Sequence, residues 1–139
     1  MVIRTIDIVN ALHEMHAKGR YGELLLMVDT CQGQALIEEV PVPGVTTLSS
    51  SRSVEMAKSI NFDDELGIST ADRFSHYMND FFKGKKVADL KNISLGDMIQ
   101  TLTKEKLLST VNVHPTEDMR FKVKLLDFFA NKLKRRAPL

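Results

Sequence analysis

The amino-acid sequence predicts an α/β fold, a parallel sheet with flanking helices, and three observations carry that expectation. Leu24-Leu25-Leu26-Met27-Val28 is a short apolar run ending in polar residues, the pattern of a strand buried on both faces. Ala71, Phe74, Met78, Phe81 and Phe82 fall on one face of a helix read over 66–83. The elements alternate as helix, strand, strand, helix, helix, strand, an order that favours parallel pairing.

Taken in order, residues 5–19 read as a helix with Thr5 as N-cap, Asp7 in the first turn and Gly19 at the end. Ile8, Leu12 and Met15 recur along it at helical spacing. The apolar strand follows over 23–30. Pro41, Pro43 and Gly44 make a turn into a second strand, 45–48, which Ser49-Ser50-Ser51 closes. A polar loop is expected over 52–65, before the amphipathic helix. Residues 84–93 are basic and polar. Ser94-Leu95-Gly96-Asp97 has the capping-box pattern and opens a short helix with Met98, Ile99 and Leu102 inward. A last strand is expected within 107–113. Residues 131–139, with Lys132-Leu133-Lys134-Arg135-Arg136, read as a basic, disordered tail.

A chain of 139 residues makes one domain, read here as 1–139, with a modest core. A net charge of +1 gives no electrostatic reason to expect nucleic acid as a partner. No segment approaches the roughly 18 apolar residues of a membrane span, and the first residues do not resemble a signal peptide. The reading is therefore of a soluble chain that meets a membrane only through partners or through segments outside it. One cysteine excludes an internal disulfide framework and a cysteine-based zinc site. His13 and His16, three residues apart without carboxylate partners, do not make a metal site, and no cofactor is expected.

A lone cysteine is most often a small buried hydrophobe, so chemistry at Cys31 needs positive support. Its position supplies some. Asp29-Thr30-Cys31-Gln32-Gly33 directly follows the most strand-like segment, and open α/β sheets gather their chemistry at the carboxyl ends of strands.

The stretch Arg20-Tyr21-Gly22-Glu23 through Asp29-Thr30-Cys31-Gln32-Gly33 resembles the active-site strand of the catalytic subunits of GPI-anchor transamidases. These are relatives of legumain, cysteine peptidases with a caspase-like fold. Pro43, Ser50-Ser51, Glu55, Ser59, Asp63 and Gly67 continue the resemblance. Asp72-Arg73-Phe74 with Tyr77 and Phe81, then Ser109-Thr110 and Asp127-Phe128-Phe129, extend it to about residues 7–130.

The resemblance implies a partial caspase-like domain, the C-terminal part of such an enzyme, with the N-terminal strands of the sheet missing. It implies Cys31 as the nucleophile that cleaves a C-terminal signal peptide from a proprotein and passes the new C-terminus to a GPI lipid amine. The Cys31 N–H would be one oxyanion donor. Asp29 matches an acidic residue that lines the substrate pocket, although a polar cap on the strand end explains it equally well. Ser50, Ser51 and Asp63 would border the acceptor site. Implied partners are proprotein signal peptides, the GPI lipid and other transamidase subunits, at the lumenal face of the endoplasmic reticulum. The Asn92-Ile93-Ser94 sequon suits that compartment.

The family's base lies on a His-Gly-Gly stretch upstream of the first helix, and none of His13, His16, His76 or His114 replaces it. The chain alone is therefore expected to be inactive, through truncation or through genuine loss. Ala57-Lys58-Ser59-Ile60 and Ala130 also depart from the family's residues. Two rival readings stay open: a legumain- or caspase-like protease, in which water resolves the thioester, and a degenerate, non-catalytic binding or scaffold domain.

Overall fold

The computed structural model describes residues 3–38 and 40–129, so the expected 131–139 tail lies outside the described residues. Its centre is a three-stranded mixed sheet in the order β1-β2-β5. β1 (Leu24–Val28) runs parallel to β2 (Val45–Ser49), with Leu24 opposite Val45 and Val28 opposite Ser49. β5 (Asn112–His114) joins the other edge of β2 antiparallel, with Leu48 opposite Val113. The α/β architecture and the parallel first pair agree with the sequence, whereas the third strand reverses the expected direction.

Helices cover both faces. α1 (Thr5–Ala17) and α2 (Gly33–Ile37) lie on one face, where Leu12 and Ile37 pack with Val45 and, from β1, Leu24, Leu26 and Val28. The other face holds the larger core. There Leu48, Val113 and Leu25 meet Phe74 and Met78 of α3 (Arg73–Phe82), together with Leu95 and Met98 of α4 (Leu95–Gln100). Leu107 of α5 (Lys104–Leu107) and Leu125 of α7 (Leu125–Phe129) complete that layer, and α6 (Asp118–Phe121) precedes α7. Alternate β1 residues thus serve opposite faces, as period-two geometry requires.

The strand buried on both faces is β2, all of whose residues are buried. β1 is only partly buried, with Met27 41% exposed, because it pairs on one side alone among the described residues. Its apolar run is thicker in leucine, but β2 has the neighbours.

Two further expectations are corrected. The 52–65 loop ends in a hairpin, β3 (Ser59–Asp63) with β4 (Ile68–Asp72), so α3 begins at Arg73 rather than 66. The hairpin's side chains are largely exposed, and backbone pairing rather than burial defines it. The N-cap of α1 is Arg4, not Thr5. Its N–H donates to Asp7 Oδ2 at 2.9 Å and closes a capping box with a basic residue at the cap.

The Ser94 capping box forms as read. Ser94 Oγ accepts from the Asp97 N–H at 3.1 Å, and the Ser94 N–H donates to Asp97 Oδ2 at 2.7 Å. The backbone N–H and hydroxyl of Ser94 hold the Asp97 carboxyl below its usual value of 3.8. An N-cap Ser94→Ala substitution is expected to cost about 1 kcal/mol in urea unfolding at neutral pH. Because the folded Asp97 value is depressed, the carboxylate's share is complete above the unfolded value and fades as pH falls through the folded one. The cost should therefore shrink in acid, and a pH-independent cost would contradict the capping box.

Gly44 closes the turn into β2 at φ +74°, and a Cβ there would stand 2.7 Å from the Gly22 carbonyl oxygen. At the same end of the sheet, Arg120 Nη1 donates to Glu23 Oε2 at 2.6 Å and ties α6 to the start of β1. Among the described residues no helix is long and apolar enough to cross a membrane.

Candidate functional site at the carboxyl end of the parallel pair

Parallel strands bring their carboxyl ends to one edge of the sheet, and this places Asp29-Thr30-Cys31 beside Ser50-Ser51. β5 runs the other way, so the residues that precede it, Ser109 and Thr110, reach the same edge. Three segments remote in sequence therefore converge there.

Cys31 is exposed in the tight turn between β1 and α2. Its thiol lies 3.9 Å from the Ala57 carbonyl oxygen, a weak sulfur hydrogen bond. The turn closes through Gln32, which is left-handed at φ 57°. The Gln32 N–H donates to the Glu55 carbonyl at 2.8 Å, and the Gly33 N–H donates to Ser51 Oγ at 3.1 Å. The Gln34 N–H donates to the Ser51 carbonyl at 3.0 Å. Among the described residues the Cys31 N–H meets no acceptor. Gly33 fits closely here, since a Cβ would stand 3.2 Å from Ser49 Cβ.

Asp29 sits at the end of β1 and reaches across to α3. Its Oδ2 accepts the Ser75 N–H at 3.2 Å and the Ser75 hydroxyl at 2.7 Å. Ser75 is in the first turn of α3, so Asp29 satisfies one of the helix's free N–H groups and complements its positive end. Asp29 Oδ1 is buried without a hydrogen-bond partner among the described residues.

Ser51 is buried and its hydroxyl is fully used, donating to the Thr30 carbonyl at 2.8 Å while accepting from Gly33. Ser50 is buried beside it, its hydroxyl 3.5 Å from the same carbonyl, and its own carbonyl accepts from Ser109 Oγ at 2.6 Å. Asp63 stands apart. Its Oδ1 accepts the Glu65 and Leu66 N–H groups at 3.0 and 2.9 Å and closes the β3–β4 turn. At about 3.3 Å per residue, that turn lies roughly 20 Å along the chain from Ala57. The structure therefore gathers Cys31, Asp29, Ser50 and Ser51 at one edge, with Asp63 at the far end of the hairpin.

The Asp-Arg-Phe signature of α3 has a physical basis. Asp72 Oδ1 accepts from Ser59 Oγ at 2.9 Å, Arg73 Nη1 donates to the Lys106 carbonyl at 2.9 Å, and Phe74 is buried in the larger core. Together they fix the helix whose first turn meets Asp29. His76 faces Asp80 at 3.5 Å on the same helix. No three His, Cys, Asp or Glu side chains gather as a metal site among the described residues.

Sequence reasoning missed Glu55 as a partner of this turn. Its carboxylate accepts the Thr110 N–H at 2.8 Å, the Thr110 hydroxyl at 2.9 Å and the Arg52 N–H at 3.2 Å. Burial raises the Glu55 carboxyl, but these bonds and nearby Lys104 outweigh it and hold the group below the usual glutamate range. Glu55 and Thr110 are too far apart in sequence for any local spacing to pair them.

The chain aligns with the GPI-anchor transamidase of Saccharomyces cerevisiae at 32% identity over 136 residues, 93% of this chain and 31% of the relative. The GPI-anchor transamidases of Schizosaccharomyces pombe and Sus scrofa are each 31% identical, over 90% and 93% of this chain and 33% of their own lengths. The chain is a homologue of the GPI-anchor transamidases. It spans about a third of the length of these relatives. No protein-family model matches it. In this transamidase homologue the segments at Asp29-Thr30-Cys31, Ser50-Ser51 and Ser109-Thr110 meet at one edge of the three-stranded sheet.

Proposed function

We propose that these residues form the nucleophile-bearing part of a GPI-anchor transamidase, with Cys31 as the attacking group. The observation that carries the reading is the Cys31 turn itself. An exposed thiol stands at the carboxyl end of a parallel pair, beside an N–H that meets no acceptor among the described residues, in a homologue of enzymes so named.

In this reading the Cys31 thiolate attacks a backbone carbonyl of a proprotein near its C-terminal signal, and the signal peptide leaves as the amine. The Cys31 N–H receives the developing oxyanion, since the next N–H groups of the turn are already bonded. The amine of a GPI lipid then takes the acyl group and frees the sulfur. A thiol needs a base to become a thiolate. The resemblance assigns that base to a His-Gly-Gly stretch, which the described residues do not supply. Asp29 supports the edge by capping α3, and its buried Oδ1, without a partner among the described residues, suits a role beside the substrate pocket. Ser50 and Ser51 would shape the floor of the acceptor site through their backbone, because Ser51's hydroxyl is already engaged. Asp63, on the hairpin, would border the acceptor site only at its outer limit. The setting is a multi-subunit complex of the endoplasmic reticulum, facing the lumen.

The test is a graft. These residues replace the corresponding stretch of the Saccharomyces cerevisiae relative in cells deprived of their own copy. Attachment of a GPI-anchored reporter to the cell surface is the expected result. A graft that accumulates normally yet releases the signal peptide to water would favour the protease reading. One that does neither would favour the scaffold reading.

A further inference from the structure

We propose that Glu55 is a positioning residue for the nucleophile turn: clamped on Thr110, it holds the 52–57 loop where its own carbonyl keeps Gln32 left-handed and Cys31 outward. The proposal rests on reading Cys31 as the nucleophile and deepens that reading.

A left-handed residue other than glycine is uphill in energy and persists only where its neighbours fix it. Gln32 is such a residue, and its own side chain does not cap the short helix that follows it. Its own N–H is held by the 2.8 Å bond to the Glu55 carbonyl, while Ser51 holds the Gly33 and Gln34 N–H groups that follow. That carbonyl is only as well placed as its loop. From the loop, Ser53 reaches Gln34 and Glu38, which belong to or adjoin the helix being positioned and so give no independent support. The Glu55 carboxylate reaches the sheet. Its two oxygens take the N–H and hydroxyl of Thr110, and Thr110 leads into the strand that pairs with β2.

Bonds to an ionised carboxylate are the stronger kind, and two donors from one residue fix direction as well as distance. Neighbouring Ser109 does the equivalent for the other wall of the turn by donating to the Ser50 carbonyl at 2.6 Å. Ser109-Thr110 thus anchors both walls to the sheet, one through each residue. If the Glu55 clamp opened, the Gln32 N–H would lose its acceptor and compete with the Cys31 N–H for a substrate oxygen. The donor geometry would then be lost without any change in the thiol.

Amide hydrogen exchange in the ¹⁵N-labelled 139-residue chain tests this directly. Glu55→Ala is expected to speed exchange at Gln32 by about ten- to a hundred-fold, with Glu55→Gln nearer the lower figure. The Leu48 and Val113 amides of the sheet should stay within about twofold of the parent, since the effect is local. Thr110→Ser, which keeps both donors, should preserve Gln32 protection. A proportional rise at every amide would reduce Glu55 to a general stabiliser and overturn the proposal. So would an unchanged Gln32 in the Gln variant, which preserves side-chain shape if the Ala variant fails to fold. Iodoacetamide labelling of the parent separates the two readings. A Cys31 that resists labelling until unfolded sinks the nucleophile assignment, while the exchange data still decide the clamp.

Discussion

Cys31→Ala in the grafted transamidase is expected to cut GPI attachment by about a thousand-fold or more, the scale on which nucleophile removal acts. Signal-peptide release should fall equally, because the same thioester precedes both water and amine attack. The fold should not notice. Cys31 is exposed, and among the described residues its weak thiol contact to the Ala57 carbonyl is the only side-chain bond lost. Its unfolding midpoint should therefore match the parent, which separates lost chemistry from lost structure. Retention of attachment within tenfold would remove Cys31 from the mechanism.

The largest stability loss is expected from Gly44→Ala. Two independent penalties meet there. Left-handed backbone at φ +74° disfavours any Cβ, and the new atom would stand 2.7 Å from a backbone oxygen that cannot rotate away. Together they should cost about 3–5 kcal/mol, a large fraction of a small domain's stability. Gly19 supplies the control: its φ is +59°, but nothing lies within 4 Å of the site of a Cβ. Gly19→Ala should cost only about 1 kcal/mol, from backbone strain alone. Equal losses in urea unfolding would mean that contact with Gly22 does not matter.

What could be read beforehand follows what side-chain burial writes into a sequence. The helix around Phe74 and Met78 and the strand at 24–28 carry apolar patterns because their side chains enter the core. The 59–72 hairpin carries only the brief alternation of Ile60 and Phe62 with polar residues, since Phe62, Leu66 and Ile68 are exposed and the pairing is made by backbone atoms. Strand direction is likewise silent: nothing in Asn112-Val113-His114 marks it as antiparallel. At the candidate site, the strand-end position of Cys31, Asp29 and Ser50-Ser51 was legible from the apolar runs that precede them. The left-handed Gln32 and the Glu55 clamp were not, because each depends on contacts between distant segments.

The antiparallel third strand also bears on how the molecule is made. β1 and β2 leave the ribosome close together, but the strand that covers the second edge of β2 is translated only after α3, α4 and α5. Through that interval Val45–Ser49 is a nascent strand with a bare edge, the kind of segment that captures other chains. The helices that emerge first can cover its faces but cannot hydrogen-bond its edge. A pause in translation between Ser51 and Asn112 should therefore lengthen chaperone binding to the nascent chain, whereas a pause after His114 should not.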